Sequence, residues 1–216
     1  MEQEPPKNNV IELKKAPSVA SESGSSTGAV IAFEQGKQSL INKSRNIEKS
    51  EDCFSQGVAL EQAGKFIQAE QKYLEALSFN PDASGALVNL GAMYTRSSSV
   101  NDIKKAETYL LRAIKIDPAY ALAQFNLGCV YDKQKKSVSS SLCYIKALEI
   151  DPTYSNPAFN LAICLQEELS FKLALDYWNL YLKLDQSDNT YTREAKKQIK
   201  VLEAILKLDA NDNSTK

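Results

Sequence analysis

The sequence predicts an all-α fold, a solenoid of stacked helical hairpins closed by a C-terminal capping helix, and three observations carry that expectation. Asn126-Leu127-Gly128 is the middle copy of a unit that also reads Asn89-Leu90-Gly91 and Asn160-Leu161-Ala162, at separations of 37 and 34 residues. Upstream of each copy lies a run ending in Ala-Leu or Ala-Ile and then a proline, at Pro81, Pro118 and Pro152. After the last copy, Tyr191, Ala195, Ile199, Leu202 and Leu206 fall on one face of a helix whose other positions carry lysines. A period near 35 residues marks a repeat array, in which each hairpin buries its apolar faces only against its neighbours.

Taken in order, residues 1–28 carry paired prolines, scattered charge and a serine-rich run, with too little apolar surface to offset the cost of ordering. This stretch is expected to be a disordered tail. Over 29–49 a leading helix is expected, because Phe33, Leu40, Ile47 and Phe54 recur every seven residues. Its Val30-Ile31-Ala32-Phe33 start has two readings, docking on the first hairpin or occupying the groove as an internal peptide.

Four repeats follow, 50–83, 84–120, 121–154 and 155–188. Each places a small residue, Gly57, Gly91, Gly128 or Ala162, where the two helices of a hairpin cross, and a bulkier one, Leu60, Tyr94, Tyr131 or Leu165, three positions on. Ala69, Ala106 and Ala174 supply the small partner on the second helix, with Ser140 in the third repeat. The prolines disfavour helical geometry in the residue before them and so end the second helix of each hairpin. Repeat two carries three extra residues around Ser97-Ser98-Ser99, with Asp102 placed to cap its second helix. Repeat four ends Leu184-Asp185-Gln186 without proline and has Tyr181 where the others have alanine, so its junction is expected to pack differently. A capping helix over 189–209 and a frayed tail over 210–216 complete the chain.

Composition narrows the function. With 26 basic against 27 acidic residues there is no basic face to recommend nucleic acid, and no apolar run approaches the ~20 residues that span a bilayer. Nor does Met-Glu-Gln-Glu-Pro-Pro read as a secretory signal, so a cytoplasmic protein is expected. The absence of histidine removes the commonest general base and metal ligand, and Cys53, Cys129, Cys143 and Cys164 form no Cys-x-x-Cys pair. The cysteines read as reduced packing residues, and neither an enzyme, a cofactor nor a metal is expected.

The order of small, aromatic and proline positions over roughly residues 50–188 resembles the tetratricopeptide repeat. The resemblance implies a right-handed superhelix whose concave side is lined by the first helix of each hairpin. On that pattern the inward residues form an apolar column, Phe54, Val88, Phe125 and Phe159, beside Ser55, Asn89, Asn126 and Asn160, with Cys129 and Ile163 further along. An asparagine amide offers both donors and an acceptor, so Asn89, Asn126 and Asn160 would hold the backbone of an extended segment of another protein. This is similar to the asparagine ladder in the repeats of the enzyme that adds N-acetylglucosamine to serine and threonine, although no glycosyltransferase domain fits in this chain. The alternative is that each amide merely faces water.

The lysine-rich clamp by which tetratricopeptide co-chaperones grip a terminal carboxylate is not matched, since Phe54 and Val58 stand at its first-repeat positions. Residues from Ala86 to Tyr181, with the Ala195-Lys196-Lys197-x-Ile199 helix, also resemble the repeat half of bacterial regulators that begin with a MerR-like domain, although residues 1–49 do not read as the winged-helix half. That likeness implies a self-associating scaffold, a homo-oligomer, or the protein-binding arm of a regulatory complex. The principal expectation is an adaptor that binds a peptide segment of a partner protein.

Overall fold

The computed structural model describes residues 25–214, and side chains over 31–209. Among the described residues there are nine α-helices and no strand: α1 (Ser25–Gln62), α2 (Phe66–Phe79), α3 (Ser84–Thr95), α4 (Val100–Ile116), α5 (Ala121–Lys133), α6 (Ser137–Ile150), α7 (Ser155–Glu167), α8 (Phe171–Leu184) and α9 (Thr190–Ser214). The disordered tail expected over 1–28 lies outside the described residues up to 24, and α1 begins at Ser25. The leading helix and the first helix of repeat one are one continuous helix. No proline falls between Ser25 and Gln62 to stop it.

The chain divides into two units, Met1–Ser44 and Arg45–Lys216. In the first, the described side chains from Ile31 to Ser44 are all exposed, with Phe33 and Leu40 each 70% so. The second contains the repeats. Its core runs as four successive clusters rather than one centre, and each draws on adjacent hairpins, as a repeat array requires.

The crossing within each hairpin is as tight as the small residues suggest. A Cβ added at Gly57 would lie 2.5 Å from the Tyr73 ring, at Gly91 2.5 Å from Leu110, and at Gly128 2.5 Å from the Tyr144 ring. Ala69, Ala106, Ser140 and Ala174 are wholly buried on the facing helices. Ser140 satisfies its hydroxyl by donating to the Ser137 carbonyl at 2.9 Å, which is how a serine replaces alanine there.

The turn within the hairpin repeats in one, three and four but not in repeat two, whose first helix ends at Arg96 in αR geometry. Gly64, Lys135 and Leu169 adopt φ near +60 to +73°, and each ends its helix with a pair of reversed bonds. Lys65, Lys136 and Ser170 N–H bond the carbonyls of Leu60, Tyr131 and Leu165 at 2.9, 2.9 and 2.8 Å, the mark of a Schellman cap. Only the first copy uses glycine. Leu169, exposed and unpaid for its left-handed backbone, should therefore gain from replacement: Leu169→Gly is expected to raise stability by about 1 kcal/mol in urea unfolding, and a loss instead would refute the strain.

Between hairpins an Asx turn recurs. Asn80, Asp117 and Asp151 accept through Oδ1 from the backbone N–H two residues on, at 3.1, 3.0 and 2.9 Å. Asp185 does the same from Ser187 N–H at 3.0 Å. Repeat four thus keeps the turn without proline, since the side chain and not the pyrrolidine closes it. Asp102 does not cap α4, for Ser99 holds that position and Asp102 lies in the first turn, accepting from Ser97 Oγ at 2.8 Å. It still favours the positive end of the helix.

The helix expected over 189–209 runs from Thr190 to Ser214, through much of the stretch expected to fray. Its start is a reciprocal cap: Thr192 N–H donates to Asn189 Oδ1 at 2.9 Å, and Asn189 N–H donates to Thr192 Oγ1 at 3.1 Å. Ala195 and Leu202 seal the helix into the cluster of Ala158, Ala162, Trp178 and Tyr181.

Candidate interaction groove

The three repeated asparagines are not equivalent. Asn89 donates through Nδ2 to the Tyr73 hydroxyl at 2.9 Å, and Asn160 donates to the Tyr144 hydroxyl at 3.1 Å. Both tyrosines lie on the second helix of the preceding hairpin, sixteen residues upstream. Each passes its own proton to a carboxylate on the first helix of its hairpin: Tyr73 to Glu61 at 2.9 Å, Tyr144 to Asp132. Burial pushes the Tyr73 phenol up to about 12 and the Tyr144 phenol higher, so both remain donors.

Sixteen residues before Asn126 stands Leu110, which has no hydroxyl to offer. Among the described residues the Asn126 amide has no side-chain hydrogen bond, and the residue is half-buried. Asn89 and Asn160 therefore stitch one repeat to the next and keep their carbonyl oxygens for other partners, Asn89 with one amide hydrogen besides, whereas Asn126 keeps its whole amide.

The apolar column also divides. Val88 is wholly buried in the cluster it shares with Leu87 and Leu127, so it does not line a groove. Its branched side chain is too short to reach past that core. Phe54 packs 5.8 Å from Tyr73, against the open backbone of Gly85. Phe125 lies 5.8 Å from Tyr144 and meets Tyr154 edge-on at 5.2 Å. Phe159 is the hub, with edge contacts to Trp178 at 4.9 Å, Tyr181 at 5.1 Å and Tyr191 at 5.5 Å.

A cavity of about 440 Å³ opens beside this hub, bringing Phe125, Phe159 and Asn160 together and leaving out Asn89, Asn126, Val88 and Phe54. Its remaining wall was not legible in the repeat pattern: Asn156 from α7, Tyr181 and Asp185 from the end of α8, Asn189 and Tyr191 from the start of α9. The missing proline and the tyrosine in place of alanine were the available signals. Asp185 is held down to about 2, first by the Ser187 hydroxyl at 2.6 Å and backbone N–H, then by the Tyr181 hydroxyl at 2.9 Å. Ile163, 39% exposed, lines a second cavity of about 260 Å³ with Phe159, Glu167 and Glu194.

Cys129 is half-buried, its sulfur 3.6 Å from the Tyr144 oxygen and accepting from the Asn160 amide at 3.7 Å. Burial raises its thiol pKa, as it raises that of Cys53, and lifts Cys143 and Cys164 to about 11. All four are protonated thiols at neutral pH, poor nucleophiles and poor ligands. Among the described residues no group of three or more His, Cys, Asp or Glu is placed to hold a metal ion, and no helix is long and apolar enough to cross a membrane.

The family model described as the tetratricopeptide repeat matches residues 86–120 and 121–154. The chain carries tetratricopeptide repeats. The match covers repeats two and three; the glycine crossing recurs in repeat one, and the turn of repeat three recurs in repeats one and four.

Among solved structures, an O-GlcNAc transferase of Thermobaculum terrenum is similar at 25% identity and a TM-score of 0.56, over 62% of this chain but 26% of its own. A structure of MamA is similar at 18% identity and 0.57, over 78% and 97%. The first tetratricopeptide domain of Spaghetti, bound to an HSP90 peptide, is similar at 19% and 0.53, over 57% and 95%. No curated protein matches the sequence. Repeats of this kind support a role in protein–protein interaction.

Proposed function

We propose that the chain is a non-enzymatic adaptor of the cytoplasm that holds a segment of a partner protein across repeats three and four and α9. The observation that carries the reading is the cavity of about 440 Å³, where aromatic edges and unspent amide capacity converge on a wall of packed helices. Such a site offers hydrogen bonds to a backbone and apolar contact to side chains, with no activated nucleophile beside it. The Spaghetti domain of similar fold holds a peptide. The uncharged Phe54 and Val58 and the aromatic cavity here imply a different ligand chemistry. Four free thiols, three of them buried and Cys129 half-buried, suit a reducing compartment.

A photo-crosslinking side chain at the exposed Asn156 tests this directly. In native extract it is expected to give discrete protein adducts that the same side chain at Lys146, exposed on α6, does not give. Identical adducts at both positions, or none at Asn156, would place recognition elsewhere.

A further inference from the structure

We propose that this groove selects a basic segment, one that carries two cationic side chains on about five residues of extended chain; the inference rests on the adaptor reading and specifies its ligand. Three cavities form a continuous path along α7. The first and second share Phe159, and the second and third share Ile163 and Glu167. The path begins at Asn156 and ends at Glu167. Eleven residues of helix at about 1.5 Å each span about 16 Å, which an extended chain covers in roughly five residues at about 3.3 Å.

Carboxylates predominate along the path. Asp185 lies at the Asn156 end, Glu167 and Glu194 at the other, and Asp132 lines the third cavity. Lys135, in the third cavity, is the single lysine or arginine among the residues lining the three. Glu167 is exposed and makes no ion pair among the described residues, and Glu194 has only Lys197 at 3.9 Å.

The two ends offer cations different environments. Asp185 already accepts from Ser187, Tyr181 and Asn189, so its lone pairs are occupied while its charge remains. A cation there is held through the field, beside the Tyr191 and Phe125 rings that line the same cavity and could take a guanidinium or ammonium. At the far end Glu167 has carboxylate oxygens free to accept directly. An acidic or neutral segment would leave these charges uncompensated, which is the basis of selection.

Three fluorescent nine-residue peptides test the proposal, identical but for two positions four apart, on one face of an extended chain, that carry arginine, glutamine or glutamate. By fluorescence polarisation with the full chain, the arginine peptide is expected to bind about five- to tenfold tighter than the glutamine peptide at low salt, with the advantage shrinking at high salt. Glu167→Gln with Glu194→Gln, which preserves shape and the Gln198 bond, is expected to remove most of that advantage. Glu75→Gln with Glu149→Gln, an equal charge change on the second helices, is expected to leave it. Equal binding of the three peptides overturns basic selection and leaves the groove reading standing. Absence of binding by all three, together with no adduct at Asn156, overturns both. A dimer in light scattering that the Glu167/Glu194 double variant dissolves would make the occupant a second copy and overturn the proposal.

Discussion

Tyr144→Ala is expected to lower the unfolding free energy by about 3–5 kcal/mol, read from urea denaturation, because three losses coincide at one buried ring. The side chain has no exposure, and its ring fills the space left by Gly128, so truncation opens a cavity where the third hairpin crosses. Its hydroxyl joins Asp132 within the hairpin to Asn160 of the next repeat. Without it, a carboxylate and an amide lose their partner in a half-buried site. Tyr144→Phe separates these contributions. It keeps the ring and is expected to cost about 1–2 kcal/mol, the share of the hydroxyl alone. A cost below about 1 kcal/mol for the alanine variant would show that the hairpins repack around the gap and that the inter-repeat bond contributes little.

That junction also shows where sequence reasoning succeeds and where it stops. The period, the small crossing residues and the capping helix follow from local pattern, since each repeat presents the same few positions to the same neighbours. The asparagines looked alike because that pattern describes one hairpin at a time. Their difference is set by position 110 against 73 and 144, one hairpin back, and comparing residues sixteen upstream would have revealed it. Val88 failed as a groove residue for another reason: a column position is exposed only if its side chain outreaches the core beneath it, and valine does not.

The groove itself was half legible. Phe125, Phe159 and Asn160 follow from the repeat, whereas Asp185, Asn189 and Tyr191 belong to the place where the repeat ends. There the Asx turn persists without its proline, and a capping helix enters with Tyr191 against Phe159. An irregular end carries no period from which to infer its register.

Trp178→Ala is expected to cost about 3–5 kcal/mol as well, but with the damage confined to the C-terminal end. Trp178 is 1% exposed and lies at the centre of the cluster that seals α9 onto repeat four. Its indole N–H also starts a relay across three helices, donating to Gln166 Oε1 on α7; Gln166 Nε2 donates to Gln198 Oε1 on α9 at 3.0 Å, and Gln198 Nε2 to Glu194 at 2.6 Å. Truncation removes both the packing that holds α9 and the anchor of that relay. Because a repeat contacts only its neighbours, opening at one end need not propagate to the other. Trypsin should therefore cut at Lys196, Lys197 and Lys200 much sooner in Trp178→Ala than in the parent, while Lys72 in α2 stays protected. Tyr144→Ala should shift both sites together. Trp178→Phe, which keeps an aromatic partner for Phe159 but no N–H, should fall between the parent and the alanine variant. Equal acceleration at Lys72 and Lys196 in Trp178→Ala would mean that the array unfolds as one cooperative body, and that α9 is no independent lid on its end.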